Sequence, residues 1–181
     1  DWETMKAHAD YMIRGGVDGL AYLGTSGEFS VMTQEEKKEL IRNLVPYVKE
    51  RVQAVVGIGD TCLENTLELA EEAEKAGASG LLAVTPYFSV YGEENVEAYF
   101  DYLAERVHLP LLIYNFPALT GFDMNPSLVR RLAEKHPLIM GVKDTVPETD
   151  HLKEMLKIKE VKSEFSVFCA YETQALEMIA A

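Results

Sequence analysis

Six short runs of nearly unbroken apolar residues, separated by longer amphipathic stretches, constrain this chain more than any other feature. They are GLAYLG (19–24), QAVVGIG (53–59), GLLAVTP (80–86), PLLIYNF (110–116), LIMGVKD (138–144) and FSVFCA (165–170). A strand with one wet face alternates apolar and polar residues. One covered on both faces, as in a parallel sheet, stays apolar throughout.

The stretches between the runs carry helix signals. Thr33 and Glu36 form a capping-box pair ahead of a stripe of Leu40, Ile41, Leu44, Val45 and Val48. Thr61 and Glu64 repeat that spacing before a helix that stops at Gly77. Asn125 followed by Pro126 reads as an N-cap with proline at the first helical position. Residues 3–14, 93–106 and 148–158 complete the helices, and a last one starts near Tyr171.

Strand starts therefore recur roughly every 25–35 residues, the period of a βα repeat. The class is α/β, and residues 1–181 read as a single domain with no linker. Six strands fit an open doubly wound sheet or part of a TIM (β/α)8 barrel. The barrel is favoured when chemistry gathers at the carboxyl ends of several strands.

Composition narrows the partners. A formal net charge of −13 and no basic stripe argue against nucleic acid and against an anionic membrane surface. Cys62 and Cys169 lie far apart with no CxxC spacing, which points to a reducing, cytoplasmic setting. The four histidines show no metal-ligand spacing, and there is no GxGxxG or P-loop. No metal and no organic cofactor are expected.

Chemistry-bearing residues do follow the strands. After the first comes GTSGE, where Gly24 and Gly27 bracket Thr25 and Ser26. This is either a polar turn before a capped helix or a nest for a carboxylate or phosphate. After the third, Tyr87, Phe88 and Tyr91 form an aromatic loop that reads as packing. On the fourth, Tyr114 is a core tyrosine or a proton carrier. On the fifth, Ile139, Gly141 and Lys143 share a face, with Gly141 leaving space beside the amine. A lysine in a strand usually sits at an edge with its ammonium in water. Here the neighbouring strands are equally apolar, which argues for an interior strand and a nucleophilic amine suited to imine chemistry.

GTSGE, TPYF, YNFPALTG and GVKDT, in that order and spacing, resemble the family of pyruvate-dependent class I aldolases. That family includes N-acetylneuraminate lyase, dihydrodipicolinate synthase and 2-keto-3-deoxygluconate aldolase. The resemblance runs over essentially the whole chain. It implies a (β/α)8 barrel in which Lys143 forms a Schiff base with pyruvate or another 2-keto acid. Tyr114 then shuttles protons, and Thr25 and Ser26, within the Gly24–Glu28 turn, bind the carboxylate. It also implies a homodimer or homotetramer.

Two positions depart from the synthase branch. Leu119 stands where synthases usually carry an arginine for the second substrate, and Phe88 stands where many members carry a relay tyrosine. Tyr87 and Tyr91 are the nearby phenols. The expected activity is reversible cleavage of a sugar-acid type 2-keto acid to pyruvate and an aldehyde. The alternatives are dihydrodipicolinate synthase and a non-catalytic 2-keto-acid-binding homologue. Because family members are longer, the chain reads as a truncated member carrying about six of the eight strands.

Overall fold

All six apolar runs are strands, every one parallel to its neighbours and ordered as in the chain. The computed structural model describes residues 1–180. The chain divides into two compact units, Asp1–Leu82 and the residues from Ala83 onward.

The first unit contains α1 (Trp2–Arg14), β1 (Gly19–Tyr22), α2 (Gln34–Val48), β2 (Gln53–Gly57), α3 (Leu63–Ala76) and the start of β3 (Gly80–Val84). β1 pairs with β2 from Gly19↔Gln53 to Tyr22↔Val56, and β2 pairs with β3 from Val55↔Gly80 to Gly57↔Leu82. The Thr33 capping box forms as expected. The Thr33 N–H donates to Glu36 Oε2 at 2.8 Å, and the Glu36 N–H donates to Thr33 Oγ1 at 3.3 Å. The predicted stripe is the buried face of α2, with Ile41, Val45 and Val48 fully buried. Burying three such side chains stabilises the unit by roughly 5 kcal/mol before chain entropy is counted.

The second expected capping box does not form. Asp60 Oδ1 accepts the Cys62 N–H at 2.9 Å, turning the chain early, and Cys62 becomes the N-cap of α3 without a side-chain cap bond. A local Asp side chain has outcompeted Thr61 for the helix start. Asp60 also anchors Lys37, whose ammonium lies 2.8 Å from Asp60 Oδ2. Lys37 is nearly inaccessible, so this is a largely desolvated ion pair joining α2 to the loop before α3.

The second unit contains the end of β3, α4 (Glu93–Ala104), β4 (Leu111–Asn115), a single turn α5 (Pro117–Thr120), α6 (Pro126–Lys135), β5 (Ile139–Asp144), α7 (Thr149–Leu156), β6 (Ser166–Cys169) and α8 (Ala175–Ala180). Asn125 caps α6 as expected, accepting the Leu128 N–H at 2.9 Å. α5 has no periodic signal and is too short to have one. Lys162 joins α6 to β5: its ammonium reaches the carbonyls of Ala133, His136, Pro137 and Ile139 at 2.8–3.2 Å. These carbonyls belong to the end of a helix and the start of a strand, where acceptors are often left over, although His136 O also accepts the Ile139 N–H at 3.1 Å.

β5 lies between β4 and β6, so it is an interior strand. Its pairing with β4 contains one irregularity. Leu111 pairs with Ile139, but Leu112 pairs with Gly141, so Met140 is skipped. From there the register runs Ile113↔Val142, Tyr114↔Lys143 and Asn115↔Asp144. One extra residue in β5 changes which side chains meet at the carboxyl ends of both strands.

Candidate active site

Tyr114 and Lys143 are direct cross-strand neighbours, and paired residues in a sheet share a face. The Lys143 ammonium stands over the Tyr114 ring, 3.9 Å from its centroid. That is within cation–π distance, so the aromatic face helps to hold the amine. Tyr114 is buried at 3% exposure, whereas Lys143 is half-buried. The Phe116 ring lies 6.0 Å from the Tyr114 ring and extends the aromatic wall.

Gly141 acts differently from the expectation that it opens space beside the amine. A Cβ there would lie 2.5 Å from Ser166 O and 2.9 Å from Leu112 Cδ2. The glycine is occupied space, and it lets β6 and β4 approach β5 closely.

Behind the phenol and amine, the next cross-strand pair turns to the opposite face. Asn115 Nδ2 donates to Asp144 Oδ1 at 2.8 Å and to Asp123 Oδ1 at 2.8 Å. Asn115 Oδ1 accepts the Met124 N–H at 3.0 Å. Asn115 and Asp144 are both fully buried. Asp144 Oδ2 is bonded to His151 Nδ1 at 2.7 Å, and His151 Nε2 lies 3.8 Å from Asp123 Oδ1. The hydrogen bond to Asp144 holds the His151 pKa above its ordinary value. Partial burial opposes that rise, and the charges of Asp144, Asp123 and Glu148 reinforce it.

This four-residue ring was not anticipated. Alternation along β4 and β5 places Asn115 and Asp144 on one face, but their meeting with Asp123 and His151 depends on the loop after α5 and on α7.

Of the other expected site residues of this unit, Tyr87, Phe88 and Tyr91 lie on the loop after β3 and Leu119 lies on α5. Phe88 is 96% exposed with a left-handed φ of 77°, and Tyr91 is partly exposed. Tyr87 is half-buried. Leu119, on α5, is 59% exposed.

In the first unit, Thr25–Gly27 form one 3-10 turn. The Gly27 N–H donates to Gly24 O and the Glu28 N–H to Thr25 O, both at 3.0 Å. Two of the amides expected to line an anion nest are therefore used inside the turn itself. The turn is bracketed by Leu23 and Glu28, both at left-handed φ values near 57° (56° and 58°). Non-glycine residues in that region carry strain, and such strain gathers at functional turns. Gly57 belongs to the same arrangement: a Cβ on it would lie within van der Waals radii of Leu23 O, so only glycine fits.

Among the described residues no cluster of three His, Cys, Asp or Glu could hold a metal, and no helix is long and apolar enough to cross a membrane. Both cysteines are free thiols.

Comparison with known proteins finds relatives over nearly the whole chain. The Escherichia coli K12 protein named "Probable 2-dehydro-3-deoxy-D-pentonate aldolase YjhH" is 40% identical over 177 residues, covering 97% of this chain and 59% of YjhH. YagE of the same organism, a prophage protein of the dihydrodipicolinic acid synthase family, has been crystallised with pyruvate. Its structure superposes with a TM-score of 0.96 at 39% identity, over 99% of this chain and 61% of YagE. The 4-hydroxy-tetrahydrodipicolinate synthase of Methanocaldococcus jannaschii is 33% identical over 156 residues, 86% of this chain and 54% of that protein. The chain thus spans about three-fifths or less of the relatives it matches. Its fold class is that of the TIM (β/α)8 barrel, of which it carries six strands. Over residues 1–181 it matches the Dihydrodipicolinate synthetase family, and the chain belongs to that family.

Proposed function

We propose that this chain carries the imine-forming centre of a class I carbon–carbon lyase, which reversibly cleaves a sugar-acid type 2-keto acid into pyruvate and an aldehyde. The observation that carries the reading is the Lys143 amine, 3.9 Å above the Tyr114 ring on an interior strand. Relatives support the substrate class: YjhH by its name, and YagE by its pyruvate complex.

The Lys143 amine attacks C2 of the keto acid, and the carbinolamine loses water to give a protonated imine. Cleavage of the C3–C4 bond moves its electron pair into the imine as an enamine. Tyr114 accepts the proton of the C4 hydroxyl as that carbon becomes the aldehyde. Protonation at C3 and hydrolysis then release pyruvate and the free lysine. The imine is itself the electron sink, so the step balances on the lysine alone.

The substrate carboxylate is assigned to Thr25 and Ser26 with the Gly24 and Gly27 backbone, as the family resemblance suggests. Tyr87, Phe88, Tyr91 and Leu119 are assigned to the pocket for the aldehyde portion. The free thiols fit a cytoplasmic protein, and the family resemblance suggests a homodimer or homotetramer.

The second reading is a synthase condensing pyruvate with aspartate semialdehyde, favoured by the relative from M. jannaschii. Leu119 weighs against it, because an exposed leucine offers no cation to a second carboxylate.

Borohydride reduction in the presence of pyruvate tests the imine. A mass increase confined to the peptide bearing Lys143 is expected. An unmodified Lys143 peptide in folded protein sinks the reading.

A further inference from the structure

Four side chains close a ring on the face of β4 and β5 that turns away from the Tyr114–Lys143 pair: Asn115, Asp144, His151 and Asp123. Each strand contributes adjacent residues to the two faces. Asn115 follows Tyr114, and Asp144 follows Lys143. The bond from Asn115 to Asp144 therefore ties the two strands one residue beyond the phenol and amine.

The charge balance of this ring depends on His151. Asp144 is fully buried, and the His151 imidazole is bonded to its Oδ2. A buried carboxylate is costly unless paired, and an imidazolium supplies the pair. His151 Nε2 is also buried without a hydrogen-bond partner, and its nearest carboxylate oxygen is Asp123 Oδ1 at 3.8 Å. In neutral histidine bonded through Nδ1–H, that nitrogen is a bare acceptor facing a carboxylate. In the imidazolium it is an N–H aimed at one.

The charged groups facing the ring are Asp144 from β5, Asp123 from the loop after α5, and Glu148 at the N-cap of α7. All three favour the cation.

We propose that His151 is a positioning residue: as an imidazolium between Asp144 and Asp123, it holds the Asn115–Asp144 tie and so sets the spacing of the Lys143 amine and the Tyr114 phenol. This rests on the imine-forming role proposed for Lys143, but the geometric coupling can be tested without it. The inference is one of control over the reaction centre, since His151 touches neither Lys143 nor substrate. Loss of its proton leaves Asp144 and Asp123 uncompensated, and the ends of β4 and β5 relax apart.

The test follows the Lys143 side-chain Cε resonance against pH in protein with 13C-labelled lysine, alongside the His151 ring resonances, with the assignment made by Lys143→Arg. In the unsubstituted protein the Lys143 signal should show an inflection coincident with His151 titration. His151→Asn keeps a donor for Asp144 but cannot titrate, so the inflection should vanish while the thermal transition remains cooperative. The rate of pyruvate trapping at neutral pH should fall about tenfold in that variant, with half-saturating pyruvate nearly unchanged. His151→Gln, whose amide reaches toward Asp123 instead, should fail to restore the rate.

A Lys143 signal indifferent to His151 titration overturns the proposal. So does a His151→Asn protein with the pH profile of the unsubstituted protein, whatever its melting temperature. If the inflection is present but no pyruvate adduct forms, the positioning role stands and the lyase reading fails.

Discussion

Tyr114 and Lys143 lie opposite one another on β4 and β5, with the lysine ammonium 3.9 Å from the centre of the phenol ring. The two residues do different jobs in the proposed reaction, so substitutions should separate them.

Replacing Lys143 by alanine removes the nucleophile. The borohydride-trapped mass increase with pyruvate should disappear, and turnover should fall to background. Lys143→Arg should do the same, because a guanidinium keeps its proton and cannot form the imine. Mass spectrometry of the trapped peptide decides the matter.

Tyr114→Phe keeps the aromatic face but removes the hydroxyl. The pyruvate adduct should still form, while aldehyde release slows about 10²–10⁴-fold, the usual worth of a positioned proton carrier. Tyr114→Leu removes the ring as well and should impair adduct formation too. Comparing trapping rates with full turnover in the two variants separates proton transfer from amine placement.

Thr25→Val and Ser26→Ala test the carboxylate assignment. Both should raise the pyruvate concentration needed for half-maximal trapping, with a smaller effect on the limiting rate. An unchanged concentration dependence in both variants rules out that turn as the carboxylate site.

The Lys37–Asp60 pair predicts an acid limb of stability. Burial pushes the Asp60 pKa upward, but the bonds from Lys37, Cys62 and Asn65 outweigh it and leave the carboxyl below its usual range. Stability from a depressed carboxyl is fully present above the unfolded value near 3.9 and is lost as pH falls through the folded value. Urea melts of the unsubstituted protein should therefore weaken below about pH 4. Asp60→Ala strands the buried ammonium and should cost about 3 kcal/mol at neutral pH. In that variant the weakening in acid should be smaller.

Removing a charge can also expose orphaned acceptors. Lys162→Met leaves the carbonyls of Ala133, His136, Pro137 and Ile139 without their shared donor and should destabilise the protein by about 2 kcal/mol. Chemical denaturation measures this directly.

Local patterns in the sequence determined the class and most element boundaries. The six apolar runs are all strands, although β1 and β6 keep partly or largely exposed residues and are not covered on both faces. The Thr33–Glu36 and Asn125–Pro126 pairs start their helices as read, because their donors and acceptors lie within one turn. The Thr61–Glu64 reading failed for the same local reason, since Asp60 offered a nearer acceptor to the Cys62 amide. The interior position of Lys143 was also legible, because the runs that flank its strand in the chain order are as apolar as its own.

Only tertiary structure decided what Lys143 faces. Without the residue skipped at Met140, the register begun at Leu111↔Ile139 would have set Tyr114 opposite Val142, and phenol and amine would lie on different faces. Likewise, Gly141 is a place of strand contact, and Asp144 finds His151 and Asn115 through a helix and a neighbouring strand. Strand register and side-chain ion pairing join residues distant along the chain. Their energies depend on distances that no local pattern specifies.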